Sequence, residues 1–165
     1  MIAILNALFE AQAKAIHNHG GEILKFIGDG LLAIFPIDDV GRGEDAAENA
    51  LDAAREALDA VRLLADDPSM AGEPPLKIVV ALHAGTVIYG NVGSADRLDF
   101  TVIGPAVNLV SRIEAAAKAL DRPIVVSGDF ARVYARPLQS LGYHQFRGLS
   151  APHELFAPHG EGAPK

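Results

Sequence analysis

The hydrophobic positions of this 165-residue chain follow two spacings, one typical of helices and one of strands. Apolar residues recur every three or four positions through residues 2–16 and again through residues 47–61. This spacing predicts helices over residues 2–19 and 44–65. A third helical pattern follows Gly104-Pro105, where proline at the first helical position costs no backbone donor.

Short apolar runs between these helices predict strands. They cover residues 77–83, 86–92, 98–103 and 123–126, with a closing pair at 141–146 and 154–156. Ser127 is placed to cap a short helix near residues 130–134. Long helices that alternate with paired strands predict an α+β fold, a ferredoxin-like sandwich with helices on one face of a mostly antiparallel sheet.

Residues 22–36 contain two apolar runs that flank Gly28-Asp29-Gly30, which predicts a β-hairpin with Asp29 exposed at its tip. Strict alternation places Ile23, Lys25 and Ile27 on one face of the first strand. A lysine on an apolar face needs a polar partner if it is buried. An edge strand with a solvated lysine and an ordinary turn explains this pattern equally well.

Composition narrows the classes of function. No apolar run reaches the length of a membrane span, and the N-terminus lacks the features of a signal peptide, so we expect a cytoplasmic protein. A net charge of −7 without a basic run argues against a nucleic-acid partner. The absence of cysteine excludes disulfides and thiolate metal sites.

The third predicted helix carries two polar side chains one turn apart. Asn108 and Arg112 are separated by four residues and therefore share a face near the start of the helix. Such a pair suits binding of a ribose and a phosphate, although for the pair taken alone a solvated helix flank is the simpler interpretation. His83, at the end of an apolar strand, is interpreted as a structural histidine.

Four stretches of the chain carry motifs in a fixed order. They are Lys25–Gly30 (KFIGDG), His83–Gly93 (HAGTVIYGNVG), Asp99–Glu114 (DFTVIGPAVNLVSRIE), and Phe146–Ser150 (FRGLS) with Glu154–Phe156. In this order and spacing they resemble the catalytic domains of class III nucleotidyl cyclases, of the bacterial adenylate cyclase type. The resemblance runs to about Ala157, so we expect one catalytic domain over residues 1–157 and a flexible tail over 158–165.

The resemblance implies an adenylate cyclase of cyclic-nucleotide signalling, a lyase that converts ATP to 3′,5′-cyclic AMP and pyrophosphate. It also implies an active site shared by the two protomers of a homodimer. In the family, two divalent ions (Mg²⁺ or Mn²⁺) held by two aspartates activate the ribose 3′-hydroxyl, and Asp29 falls on the second aspartate. Lys25 and Thr101 fall on the pair that recognises the purine, and this combination suits adenine.

Three further positions match the family's substrate-binding residues. Asn108 matches the residue that orients the ribose, and Arg112 matches the one that stabilises charge at the α-phosphate in the transition state. Arg147 falls where a basic residue contacts the triphosphate, although an exposed loop arginine is an alternative interpretation.

The chain departs from the family pattern at its start. The family's first strand, which carries the other metal aspartate, would precede Met1, and Asp38 and Asp39 are wrongly placed to replace that aspartate. We therefore expect a missing first strand, exposed strand edges and no two-metal site in the chain as written. Pro105, which stands where many members have aspartate, is expected to alter only the helix start.

Two other functions fit parts of this pattern. A catalytically inactive cyclase-like module for dimerisation or nucleotide binding would explain the missing aspartate, whereas joint retention of Lys25, Asn108 and Arg112 favours descent from an active enzyme. A ferredoxin-like binding domain unrelated to nucleotides would make the motif spacing a coincidence.

Overall fold

The computed structural model describes residues 2–37 and 43–161, apart from the side chains of residues 98–100. The chain divides into two compact units, one ending at Ile78 and the other beginning at Val79. Asp38 and Asp39 lie outside the described residues, as do residues 162–165 of the predicted tail. No helix in the described ranges is long and apolar enough to cross a lipid bilayer.

The first unit contains the two predicted long helices and the predicted hairpin. Its elements are α1 (Ile2–Asn18), β1 (Glu22–Ile27), β2 (Gly30–Ile34) and α2 (Gly43–Ala65), followed by a 3₁₀ turn at Pro68–Met70. Five of the eight buried residues of α2 are alanines, and this small-residue face packs against α1. Small side chains let the two helix backbones approach closely, so the alanine-rich pattern of α2 serves helix packing.

Polar contacts fasten the end of α1 to the middle of α2. Asn18 Nδ2 donates to Glu56 Oε1 at 2.7 Å, and His19 Nε2 lies 2.7 Å from Glu56 Oε2. The hydrogen bond from Asn18, followed by that from His19, lowers the pKa of the Glu56 carboxyl below its ordinary value. The ionised form of Glu56 is therefore the one that holds the two helices together.

The hairpin differs from its prediction at one position. Ile27 pairs with Gly30, so Gly28 and Asp29 form the two-residue turn, with Gly28 at φ +58°. Ile23 pairs with Ala33 but Lys25 pairs with Leu32, because a bulge interrupts the register between them. Adjacent residues of β2 point to opposite faces, so the prediction that Lys25 shares a face with Ile23 is wrong.

The second unit contains a four-stranded sheet, a two-stranded ribbon and two helices. Its elements are β3 (Val80–Leu82), β4 (Ile88–Ser94), β5 (Arg97–Ile103), α3 (Pro105–Ala119), β6 (Ile124–Ser127), α4 (Gly128–Tyr134), β7 (Gln139–His144) and β8 (His153–Ala157). The sheet order is β3-β6-β8-β7, with β3 parallel to β6 and the other pairs antiparallel, while β4 and β5 pair with each other. The predicted α+β class is confirmed.

The strands of the described residues are divided among three sheets rather than joined in one. Hairpin pairs such as β4–β5 form through a local turn, whereas pairing between hairpins requires contacts distant in sequence. The strand predicted over residues 77–83 is reduced to three residues, and β6 is its partner among the described strands. Apolar character alone therefore overestimated the length of β3.

The core of the second unit lies between α3 and the four-stranded sheet. Ile113 and Ala117 of α3 are fully buried against Val125 of β6 and Leu155 of β8, and Phe146 closes this cluster. All four residues of β6 are buried, as expected for an inner strand. The apolar face of α3 thus fixes the rotation of this helix about its axis.

We expect Glu56→Gln to destabilise the protein at neutral pH and to reduce its sensitivity to acid. The lowered pKa of Glu56 means that the carboxylate contributes stability above its ordinary pKa of 4.5, and that this is lost as pH falls through the folded-state value. Thermal unfolding followed by circular dichroism between neutral and acidic pH measures the effect. Asp59→Asn, which removes an exposed pair with Arg62 on the same helix, is the control, and identical acid sensitivity in Glu56→Gln and wild type would contradict this account.

Candidate active site

The six residues proposed from the sequence are distributed over both units. The first unit contains Lys25 and Asp29, and the second contains Thr101, Asn108, Arg112 and Arg147. Lys25 is exposed on β1, and Asp29 is exposed at the tip of the hairpin, as predicted. A two-residue turn between paired strands restricts the backbone on both sides of this carboxylate.

A metal site needs several converging ligands, since divalent cations such as Mg²⁺ take about six oxygen atoms. Within the described residues, no group of three or more His, Cys, Asp or Glu side chains is placed to hold a metal ion. Asp29 offers one carboxylate at the hairpin tip. The described residues therefore do not by themselves make up a site for two divalent ions.

Helix α3 presents Asn108 and Arg112 along one flank. The helix begins after Gly104, with Pro105 at its first position, so Asn108 lies in the first turn and Arg112 one turn later. Asn108 is exposed and Arg112 is half-buried. Because Ile113 and Ala117 face the core, this polar flank lies beside the buried face of the helix.

The turn between β7 and β8 brings a second basic residue beside this flank. Leu149 N–H donates to Phe146 O at 3.1 Å, and Gly148 at φ +83° supplies the conformation that such a turn requires. Gln145 Nε2 donates to Leu149 O at 2.6 Å and fixes the same turn. Phe146 and Leu149 pack on the core around Ile113, so the exposed Arg147 lies between two anchored residues.

Arg112 reaches this turn directly. Its Nη2 atom lies 3.7 Å from the point where a Cβ atom on Gly148 would be. The salt bridges among the described residues do not include Arg112 or Arg147. Two guanidinium-bearing segments therefore meet at one place, an arrangement suited to an anion with several oxygen atoms.

Thr101 lies on β5, opposite Gly90 of β4. Its Oγ1 atom is buried and lacks a hydrogen-bond partner among the described residues. A Cβ atom added at Gly90 would meet nothing within 4 Å. An unpaired buried hydroxyl costs about 1–3 kcal/mol, so this position is suited to a polar ligand atom.

His83 has the structural hydrogen bond expected of a buried histidine. Its side chain is 6% exposed, and Nδ1 lies 2.7 Å from Ser127 Oγ. The sequence pattern does not predict this contact, because the two residues are 44 positions apart and neither spacing nor composition links them. The contact of Arg112 with Gly148 was missed for the same reason.

Comparison with known proteins places these features in a family. Residues 1–147 match the profile of the adenylate and guanylate cyclase catalytic domain. The chain belongs to this family. Its resemblance to nucleotidyl cyclases, inferred above from four motifs, is thereby confirmed.

Two bacterial relatives are named adenylate cyclases. The chain is 37% identical over 133 residues to the adenylate cyclase of Anabaena cylindrica and 31% identical over 130 residues to adenylate cyclase 1 of Rhizobium meliloti (strain 1021). These alignments cover 81% and 78% of this chain but 26% and 19% of the relatives. The chain thus spans about a quarter or less of each of these longer proteins.

Solved cyclase structures share the fold. The guanylyl cyclase Cya2 superposes with a TM-score of 0.80 at 28% identity, covering 99% of this chain and 82% of that one. A bacterial light-regulated adenylyl cyclase superposes with a TM-score of 0.81 at 25% identity, covering 97% of this chain and 78% of that one. A protein named guanylyl cyclase and one named adenylyl cyclase thus share this fold. The preference for guanine or adenine must therefore come from individual side chains.

We expect Gly148→Ala to destabilise this cyclase domain and to change the surroundings of the Arg112 guanidinium. A non-glycine residue at φ +83° costs about 1–2 kcal/mol, and the added methyl group would contact the Arg112 guanidinium. Urea denaturation measures the first effect, and the NMR signal of Arg112 Nε–Hε measures the second. Gly142→Ala is the matched control, because Gly142 has φ +82° and open space around it. An unchanged Arg112 signal in Gly148→Ala would show that the guanidinium does not lie at this turn.

Proposed function

We propose that the chain is the catalytic domain of an adenylate cyclase, which converts ATP to 3′,5′-cyclic AMP and pyrophosphate. The observation that carries this proposal is the position of the Arg112 guanidinium at the Arg147–Gly148 turn, with Asn108 one helical turn earlier. Membership of the cyclase family and relatives named adenylate cyclase support it.

The reaction transfers the α-phosphoryl group within one molecule. The ribose 3′-oxygen attacks the α-phosphorus while its proton passes to solvent water. A new P–O bond closes the ring, and the bond from the α-phosphorus to the bridging oxygen breaks to release pyrophosphate. Negative charge increases on the α-phosphoryl oxygens in the transition state. We assign the stabilisation of this charge to Arg112, whose half-buried guanidinium acts more strongly than one in bulk water.

Asn108 and Arg147 bind the parts of ATP on either side of the reacting phosphorus. We assign to Asn108 the orientation of the ribose, because its amide can both donate to and accept from sugar hydroxyls. Arg147 is assigned to binding of the β- and γ-phosphates, because its side chain is exposed at the turn and accessible to them. Correct alignment of the 3′-oxygen with the leaving group depends on both contacts.

Recognition of adenine is assigned to Lys25 and Thr101. The buried Thr101 hydroxyl without a described partner supports this assignment, because a base edge would supply the missing hydrogen bond. Lysine donates to a ring nitrogen of adenine, whereas guanine presents a donor at the equivalent position. Lysine with threonine therefore favours ATP over GTP.

Among the described residues, Asp29 is the candidate ligand for a metal ion. A carboxylate is the ligand type that Mg²⁺ and Mn²⁺ prefer. Since the described residues do not complete a site for two ions, no step of the reaction is assigned to a metal.

We further propose that the active domain is a homodimer with shared sites. The β4–β5 ribbon exposes large apolar side chains on both strands, namely Ile88, Tyr89, Val92 and Ile103. Apolar patches of this kind on a polar surface are typical of protein interfaces. An isolated two-stranded ribbon is also only marginally stable in water, so packing against a second protomer would stabilise it.

An inactive regulatory module is the second candidate function. The lack of a multidentate metal group among the described residues favours it. Such a module would still bind a nucleotide through the arginines of the second unit, so binding alone does not separate the two functions. Formation of cyclic nucleotide does separate them.

We compare the 165-residue chain with a version extended at its N-terminus by an aspartate-bearing first strand, and we expect at least one of the two to form cyclic AMP from ATP with Mn²⁺. In the active version, we expect Arg112→Ala to lower kcat by about 10²–10³-fold with little change in KM. Arg62→Ala, an exposed arginine of α2, is the matched control and should be fully active. Lys25→Ala should reduce the preference for ATP over GTP. If neither version forms cyclic nucleotide from ATP or GTP, the regulatory module replaces the enzyme.

We expect activity to return when Asp29→Ala and Arg112→Ala proteins, each inactive alone, are mixed. Random pairing of the two variants makes about half of the dimers mixed. Because each protomer supplies part of both active sites, each mixed dimer has one intact site and one site that carries both substitutions. Activity should therefore recover to about a quarter of the wild-type value. Mixing Asn108→Ala with Arg112→Ala is the control and should restore nothing, because these residues lie on one helix. Failure of the first mixture would contradict a shared site.

A further inference from the structure

The side chain of His83 is buried, and the proposed reaction assigns no role to it. Its Nδ1 atom lies 2.7 Å from Ser127 Oγ, and the same oxygen accepts from Phe130 N–H at 3.0 Å and so caps α4. Ser127 is itself 2% exposed. The imidazole is therefore held by a residue whose own position is fixed by β6 and α4.

Burial favours the neutral form of this imidazole. Desolvation lowers the pKa of His83, the nearby Asp129 carboxylate acts in the opposite direction, and His153 lowers it further. With a neutral ring, we assign the Ser127 hydroxyl as donor to Nδ1, which leaves the proton on Nε2. Asp129, whose Oδ2 lies 3.9 Å from Nδ1, and His153 are the titratable groups that face the ring from α4 and β8.

The other edge of the ring faces the segment that connects β3 to β4. A Cβ atom added at Gly85 would lie 3.0 Å from His83 Nε2 and 2.9 Å from the Cβ atom of Ala106. Gly85 therefore fills the narrow space between the imidazole and the first turn of α3. A side chain of any size at this position would have to displace one of them.

The same connecting segment continues along the start of α3. A Cβ atom added at Gly104 would lie 3.7 Å from Thr86 O and 3.9 Å from Val87 Cα. The backbone of residues 85–87 thus packs against both Gly104 and Ala106, the residues that begin the helix. Asn108 follows two residues after Ala106, and Arg112 one turn further.

We propose that His83 is a positioning residue for the cyclase site. The bulk of its ring, which lies at Gly85, supports the 83–87 segment against the first turn of α3 and thereby sets the position of Asn108 relative to the sheet. The expected effect on kcat rests on the proposed function, whereas the expected effect on the position of α3 does not. His83 touches neither substrate nor reacting atoms in this proposal.

Two substitutions at His83 distinguish the effect of the ring from the effect of its hydrogen bond. His83→Asn keeps an amide that can bond Ser127 but removes the ring edge at Gly85, whereas His83→Phe keeps a ring of similar shape and removes both nitrogens. Tyr134→Leu is the control, because Tyr134 is a buried residue of α4 that packs on Phe130. Each protein is examined for backbone amide NMR signals of Ala106 and Asn108, for its melting temperature, and for kcat and KM with ATP.

We expect His83→Asn to shift the Ala106 and Asn108 signals and to lower kcat by about tenfold or more, with KM nearly unchanged, because small displacements of a transition-state contact are costly. His83→Phe should recover most of the kcat despite the loss of the hydrogen bond to Ser127. Tyr134→Leu should lower the melting temperature but leave the α3 signals and kcat at their wild-type values.

The NMR and kinetic results distinguish failure of this inference from failure of the proposed function. If His83→Asn lowers the melting temperature while the Ala106 and Asn108 signals stay at their wild-type positions, His83 is only structural and the inference is overturned. If the protein forms no cyclic nucleotide but these signals still move, the positional effect stands and the adenylate cyclase proposal fails. A kcat of His83→Phe as low as that of His83→Asn would show that the ring does not provide the support.

Discussion

The second unit depends on the burial of one face of α3 against the four-stranded sheet. Ile113 and Ala117 are both fully buried there, and burying an isoleucine side chain stabilises a fold by about 1.5–3 kcal/mol. Since one face of the helix is fixed in the core, the flank that carries Asn108 and Arg112 is fixed as well. The same core buries Phe146 and thereby anchors the turn that presents Arg147.

Glycines complete this arrangement wherever backbone must approach α3. Gly85 is required by space, because any Cβ atom there would collide with Ala106. Gly148 is required by conformation, since its φ of +83° is costly for other residues. The core sets the orientation of the helix. Gly85 allows one connecting segment to lie against its first turn, and Gly148 allows a second to lie beside its polar flank.

The proposed substrate carries several negative charges, while the protein itself has a net charge of −7. The net charge of the chain therefore does not favour the approach of ATP, and binding must depend on cations placed locally. Arg112 and Arg147 suit that role, because the salt bridges of the described residues do not include them. Partial burial of Arg112 strengthens its interaction with a phosphoryl group compared with a fully solvated arginine.

The sequence alone determined the features that depend on neighbours in the chain. These include the long helices, the hairpin with Asp29 at its tip, and the Ser127 cap, whose oxygen accepts from Phe130 N–H. Periodicity, turn residues and capping act over a few residues, so their signals are visible in the sequence. The four motifs, each a short run of neighbouring residues, likewise identify the cyclase family.

Only the tertiary structure decided the contacts between distant segments. The bulge that separates Ile23 from Lys25 depends on the pairing with β2, and the position of Arg112 depends on a turn 36 residues further along the chain. The hydrogen bond between His83 and Ser127 likewise joins residues 44 positions apart. Such contacts are chosen by packing of the whole unit, which no local pattern of hydrophobic and polar residues encodes.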